Sequence, residues 1–437
     1  MSEVLGWSPA DQSGMERPLM QSDVPLVFRS DNLAVRAHLG RGSRVCFVTF
    51  DPMSDDLSLD RPAFAEAYLA GLGIDSIHIL SANNLWYQDA DLPAVLDQVR
   101  DLVTGYDNVV AYGSSMGGYA ALRFGARAGA KTAIAISPQY SVIDARVPHE
   151  TRWRELRESV QWLHEHPGDT LPAFDDAVIF CDDRESDGRH AMLIAAEIPT
   201  ARIVSLPYAG HPAGTFLAET GVLSSAILDA AYRRIDLEAL YRTVRQRRRR
   251  SGHYLYTLAR RQPLCRMRTK LGLMELALVA QPFEPVYLSY SALVLEAAGQ
   301  GVAALERHER ATANPLFGLA HIRRGRCLWR AGRRADGMGA IAQARVGLPR
   351  SVGPIEIGAL MLALDRRAAD AMTLLFRFDE RRPASVIPAA RQRWIDVAAK
   401  YPAISGSIGR VVGFYLTRRT KLLQRSARDE LTEADRE

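Results

Sequence analysis

The run NVVAYGSSMGGYAALRFG places Gly113-Ser114-Ser115-Met116-Gly117 between an apolar β-type run and a helical pattern. This is a G-x-S-x-G motif centred on Ser115, in a strand–turn–helix setting. A turn this tight puts the central serine in a strained backbone conformation. Side chains at the two flanking positions would clash, hence glycine at both. The turn lifts the hydroxyl above the end of the strand, and the helix that follows aims its first amides at whatever the hydroxyl attacks. Gly118 adds one more small residue where helix meets strand. The chemistry that this arrangement suits is nucleophilic attack by a serine hydroxyl.

In these residues the chain resembles the α/β-hydrolase family over about residues 25–232. The resemblance puts the nucleophile on Ser115 rather than Ser114. It implies the order nucleophile, acid, histidine along the chain. The histidine is then His211, in LPYAGHP after the apolar run RIVSL. His149, His164 and His166 lie in a polar stretch and His190 in a helical one, so they are poorer candidates. His211 would take the Ser115 proton and return it to the leaving group.

The acid comes from DDRESDGRH. Counting back from His211 without gaps, the family's position falls on Asp183. Asp187 stands just ahead of a helical pattern and could equally be its N-cap. Asp182 could end the preceding strand. Asp183 is favoured, with Asp187 and Asp182 as alternatives.

The oxyanion hole would use the Met116 amide and one from the loop after RVCFVTFD, near Met53. That loop lacks the His-Gly run of lipases. The next loop, SANNLWYQ, offers Asn84 and Trp86 as substrate-binding groups, suited to a polar ring such as a sugar. The GSSMGG turn with its Asn/Trp loop resembles hydrolase-like proteins of bacterial surface-glycan acylation.

The elements that must carry these residues are legible as strands at 26–29, 33–38, 44–51, 76–81, 108–113, 131–137, 177–181 and 202–206. Helical patterns stand between them at 64–72, 92–106, 116–128 and 188–196, with 215–232 after the last. Nearly all-apolar strands alternating with helices predict a mostly parallel sheet covered on both faces. Residues 140–174, polar and rich in Trp, His and Pro, read as a lid or cap inserted after a strand.

From 236 onward the pattern is helical. Residues 236–282 read as a basic helical linker containing RQRRRR. Pro315, Pro349 and Pro383 recur every 34 residues, so 283–385 resembles tetratricopeptide repeats. Residues 386–437 read as further helices with a charged tail, and 1–24 as an N-terminal extension. The fold class expected is therefore an α/β-hydrolase domain followed by an all-α helical-repeat domain.

Composition narrows the function. The chain has 437 residues, 47% hydrophobic and 24% charged, which fits two or three globular domains. The net charge is +5, and only four of the 55 basic residues are lysines. That arginine bias fits a GC-rich genome, so nucleic-acid binding is not expected. No apolar stretch is long enough to cross a membrane. The start, MSEVLGWSPADQSG, has no signal-peptide pattern, so a cytoplasmic location is expected. The four cysteines are scattered, and neither a metal site nor a cofactor is expected.

The expected function is a carboxylesterase or O-acyltransferase acting through an acyl-enzyme on a small ester or acylated glycan. The alternative is a catalytically idle hydrolase-like scaffold that docks a partner protein through its helical repeats.

Overall fold

The computed structural model describes residues 25–153, 157, 160–348, 353–365, 367, 370, 374 and 427–435. The expected extension 1–24, most of the third 34-residue unit and most of 386–437 lie outside them. Two compact units divide between Thr257 and Leu258.

The first unit is built on one eight-stranded sheet in the order β1-β2-β4-β3-β5-β6-β7-β8. β1 (Leu26–Arg29) and β2 (Leu33–His38) pair antiparallel as a hairpin, and β2 pairs antiparallel with β4 (Asp75–Ser81). The other strands are β3 (Val45–Phe50), β5 (Asn108–Ser114), β6 (Thr132–Ile136), β7 (Asp176–Cys181) and β8 (Ala201–Ser205). From β4 to β8 every neighbouring pair is parallel. Every residue of β3, β4, β6 and β7 is buried, as a sheet covered on both faces requires.

The covering helices are α1 (Glu66–Gly71), α2 (Leu92–Leu102), α3 (Met116–Phe124), α4 (Ser186–Glu197), α5 (Ala213–Glu219) and α6 (Leu223–Ala231). The single helix expected over 215–232 is two. The chain breaks at Gly221, whose φ of +68° no helix accommodates. α4 begins at Ser186, two residues before the expected start, and so takes in Asp187.

Among the described residues of 140–174 there is no strand. Val142, Val147, Trp153, Leu171 and Phe174 join the main core. Glu165, fully buried, ion-pairs Arg123 at 3.0 Å and Arg146 at 3.2 Å and accepts from the Tyr119 hydroxyl. The segment is thus pinned by charge as well as by apolar burial.

The linker expected from 236 begins instead as part of the first unit. α7 (Leu237–Arg247) and the start of α8 (Gly252–Arg260) belong to it. The Tyr241 hydroxyl accepts from the Ser205 amide, and Arg247 donates to the Thr220 carbonyl. These contacts explain why a basic, amphipathic stretch packs rather than spans.

The described part of the second unit is helical: α9 (Met267–Ala280), α10 (Pro285–Ala297), α11 (Gly301–Ala311), α12 (Gly318–Arg330), α13 (Arg334–Gly347), α14 (Gly353–Leu364) and α15 (Ala427–Ala434). Arg323 donates to Ser289 and Arg330 to Glu296, each across 34 residues. Asp435, in the segment read as a charged tail, meets the buried Lys270 at 2.8 Å. Among the described residues no helix is long and apolar enough to cross a membrane.

Candidate functional site

Ser115 sits between β5 and α3 with φ 51° and ψ −118°. A non-glycine residue there is strained, and the surroundings must enforce it. They do so through the flanking glycines. A β-carbon at Gly113 would lie 2.1 Å from the Gly117 carbonyl oxygen. One at Gly117 would lie 2.1 Å from the Phe50 carbonyl oxygen at the end of β3. The Ser115 amide is tied to the Ile136 carbonyl at 2.8 Å and its carbonyl accepts from Tyr119 at 3.0 Å.

The Ser115 hydroxyl lies 2.9 Å from His211 Nε2, and His211 Nδ1 lies 2.6 Å from Asp187 Oδ2. Serine, imidazole and carboxylate therefore form one hydrogen-bonded row. The carboxylate in that row is Asp187, where the sequence favoured Asp183. Asp187 stands in the first turn of α4, but it does not cap the helix. Its side chain is fully buried and turned toward His211.

Asp183 points the other way, 40% exposed, with Arg184 4.0 Å away. The turn there is tight: a β-carbon on Gly188 would come within 2.7 Å of the Asp183 carbonyl oxygen. Asp182 is buried and accepts from the amides of Arg184 and Gly210. It thereby fastens the loop that carries His211.

Burial alone would push the Asp187 carboxyl up. The charges of His211 and of Arg152 outweigh it and hold the group down at about 2. Arg152 comes from the cap. Its Nη1 lies 2.9 Å from Asp187 Oδ1, as an ion pair rather than an aligned hydrogen bond. Its neighbour Trp153 brings its ring to 6.1 Å from the His211 ring.

Gln139, just after β6 and 1% exposed, donates from Nε2 to the Ser115 hydroxyl at 3.3 Å, while its Oε1 accepts from Trp86 Nε1 at 3.4 Å. Neither Gln139 nor Arg152 was singled out in the sequence. Each lies in or beside the aperiodic 140–174 stretch, and only the fold brings it to Ser115.

The two side chains expected to bind substrate are used inside the protein. Trp86 is fully buried. The Asn84 carboxamide pairs with both backbone groups of Ser54, accepting at 3.0 Å and donating at 2.9 Å. It thus grips the residue next to Met53. The start of the same loop is held by the Tyr87 hydroxyl, which donates to the Asp51 carbonyl at 3.0 Å. Met116 opens α3, so its amide has no partner within the helix.

Among the described residues, Glu296, His308 and Cys327 bring potential metal-ligand atoms within 4.8 Å of one another. Arg330 already pairs with Glu296, and burial pushes the Cys327 thiol up to about 12. A cavity of 590 Å³ lined by Leu96, Phe124, Arg127 and His164 does not reach Ser115 or His211.

No protein-family model matches the chain. No curated protein matches it either. Solved structures give partial likenesses. A capsule O-acetyltransferase of Neisseria meningitidis serogroup A is 14% identical with a TM-score of 0.31, over 42% of this chain and 87% of that one. An α/β serine hydrolase without lid from Xanthomonas campestris is 17% identical with a TM-score of 0.28, over 44% and 87%. A TPR protein with an unusual peptide-binding site is 17% identical with a TM-score of 0.28, over 39% and 86%. Likenesses of this extent carry no argument about the chain's activity.

Proposed function

We propose that the chain is a serine hydrolase or O-acyltransferase that works through an acyl-enzyme on Ser115. The observation that carries this reading is the row Ser115–His211–Asp187, with 2.9 Å and 2.6 Å between its members. His211 Nε2 takes the proton as Ser115 Oγ attacks an ester carbonyl. Asp187 accepts from Nδ1–H, which fixes the tautomer and stabilises the imidazolium. The Met116 amide and the Met53 amide receive the oxyanion. His211 then protonates the leaving alcohol, and water or an acceptor hydroxyl resolves the acyl-enzyme.

The acceptor or alcohol is a small molecule or a glycan. Labelling with a fluorophosphonate probe tests the reading. Wild type should label and Ser115→Ala should not; an unlabelled wild type, or equal labelling of both, overturns it. A screen of p-nitrophenyl esters and acetylated sugars tests the substrate, and a strong preference for long chains would count against an acylated glycan.

A further inference from the structure

The cap reaches the carboxylate of the row through one guanidinium. Arg152 forks onto Glu150 with Nε at 3.1 Å and Nη2 at 2.7 Å, and offers Nη1 to Asp187. Its own amide also donates to Glu150 Oε1 at 2.7 Å. Glu150 is fixed in turn by His190, whose Nε2 donates at 2.9 Å while its Nδ1 accepts from the Tyr140 amide. The guanidinium carbon lies over the Trp153 ring, 4.4 Å from its centre. Only Oδ2 of Asp187 meets His211, so Oδ1 has to be held by something else if the carboxylate is not to rotate.

We infer that Arg152 is a positioning residue of the reaction: carried by the cap, it bridges Glu150 and Asp187 and fixes the carboxylate that orients His211. The inference rests on the hydrolase reading of the same site. A planar guanidinium can bind two carboxylates at once in fixed directions, whereas an ammonium acts as a point charge. The two roles of Arg152, geometry and charge, are therefore separable. The charged groups that face His211 are Asp187 on α4 and Arg152 on the cap, with Asp182 behind the adjacent Gly210 amide.

The test compares Arg152→Ala and Arg152→Lys with wild type in the full chain. Ester turnover and its pH profile are followed together with the fluorophosphonate labelling rate. Arg152→Ala should lower kcat about tenfold or more with KM little changed, since it disturbs orientation rather than binding. It should also move the acid limb of kcat/KM up by about half a pH unit or more, because a positive charge that opposes the imidazolium is gone. Arg152→Lys should keep the limb near its wild-type place and recover only part of kcat. Adding Arg152→Ala to Asp187→Ala should cost nothing further, as expected for residues that act as one unit.

Wild-type kcat and limb in Arg152→Ala, or losses that add to those of Asp187→Ala, would overturn the inference. An unlabelled wild type would instead sink the hydrolase reading. The NMR titration of the His211 imidazole then decides the matter: an unmoved titration in Arg152→Ala would show that the two groups are not coupled. Should Arg152→Ala not fold, Arg152→Lys and Glu150→Gln carry the same readouts.

Discussion

Two loops flank Ser115, and the part of each that faces it is held differently. In Asp51–Ser54, on the β3 side, the backbone is held by neutral hydrogen bonds, from the Tyr87 hydroxyl to the Asp51 carbonyl and from the Asn84 carboxamide to both backbone groups of Ser54, while the Asp51 side chain turns to Arg61 in a buried ion pair at 2.6 Å. Glu150–Trp153, on the cap, is held by charge, with Arg152 between Glu150 and Asp187. The difference follows from what each loop has to present. An oxyanion donor is a backbone amide, and bonds to the backbone fix it directly. The carboxylate beside the histidine is a side chain, and another side chain must hold it. Neutral links keep their strength across pH and salt, whereas buried ion pairs hold only while both partners are charged.

The largest effect lies where the cap meets the row. Asp187→Ala should cut kcat by about 10⁴, as loss of the acid does when the base loses its tautomer and orientation. Asp183→Asn should stay within about twofold, because the Asp183 side chain is 40% exposed and its ion pair is with the exposed Arg184, away from His211. Equal losses in the two variants, measured as kcat for one ester, would return the acid to Asp183 and dissolve the comparison.

That pair also marks how far the sequence reaches. Ser115 and His211 were legible because local chemistry demands their neighbours. The elbow needs Gly113 and Gly117, and the histidine follows a strand in a Gly-His loop. The sheet was legible from its apolar runs. Which aspartate meets His211 depended on where α4 starts, and helix starts are poorly marked when no side chain caps them; here the Glu185 side chain, at the N-cap position, does not cap the helix. Asn84 was legible as an important amide but not as a clamp, since its partner lies 30 residues away on another loop. Gln139 and Arg152 belong to contacts that span long loops, and such contacts leave no period in the sequence.

Next in size is the far anchor of the cap. Glu165 is fully buried between Arg123 and Arg146. Glu165→Gln takes the counter-charge from the buried Arg123 and leaves Arg146 only the 3.9 Å pair with Glu197. It should cost about 3 kcal/mol in urea denaturation, within the range for breaking one side of a buried pair. Unchanged stability would mean that the cap is held by its apolar residues alone.

The pH dependence separates the two loops by sign. The folded-state value of Asp187, about 2, lies below its ordinary 3.8. Its contribution to stability is therefore fully present above pH 4 and lost as the pH falls toward 2. The amount is about 2 kcal/mol. On the other loop, burial pushes Asp51 up to about 6 against the pull of Arg61. Its contribution runs the opposite way, present below about 4 and lost as the pH rises through 6. Asp187→Asn should flatten the fall in stability between pH 4 and 2, read from denaturation midpoints at each pH. A fall as steep as in wild type would place the acid sensitivity elsewhere.

The smallest effect tests the neutral side. Asn84 offers one acceptor to the Ser54 amide and one donor to the Ser54 carbonyl. Asn84→Ala removes both and frees the loop carrying Met53, so the amide there no longer waits in place for the oxyanion. Losing an oxyanion donor outright costs about a hundredfold or more, and loosening one should cost about tenfold in kcat. KM should change little, because the donor acts on charge that develops only in the transition state. If Asn84→Ala instead raised KM and left kcat alone, Asn84 would be touching substrate, and the β3-side loop would take its place from Tyr87 and Asp51 only.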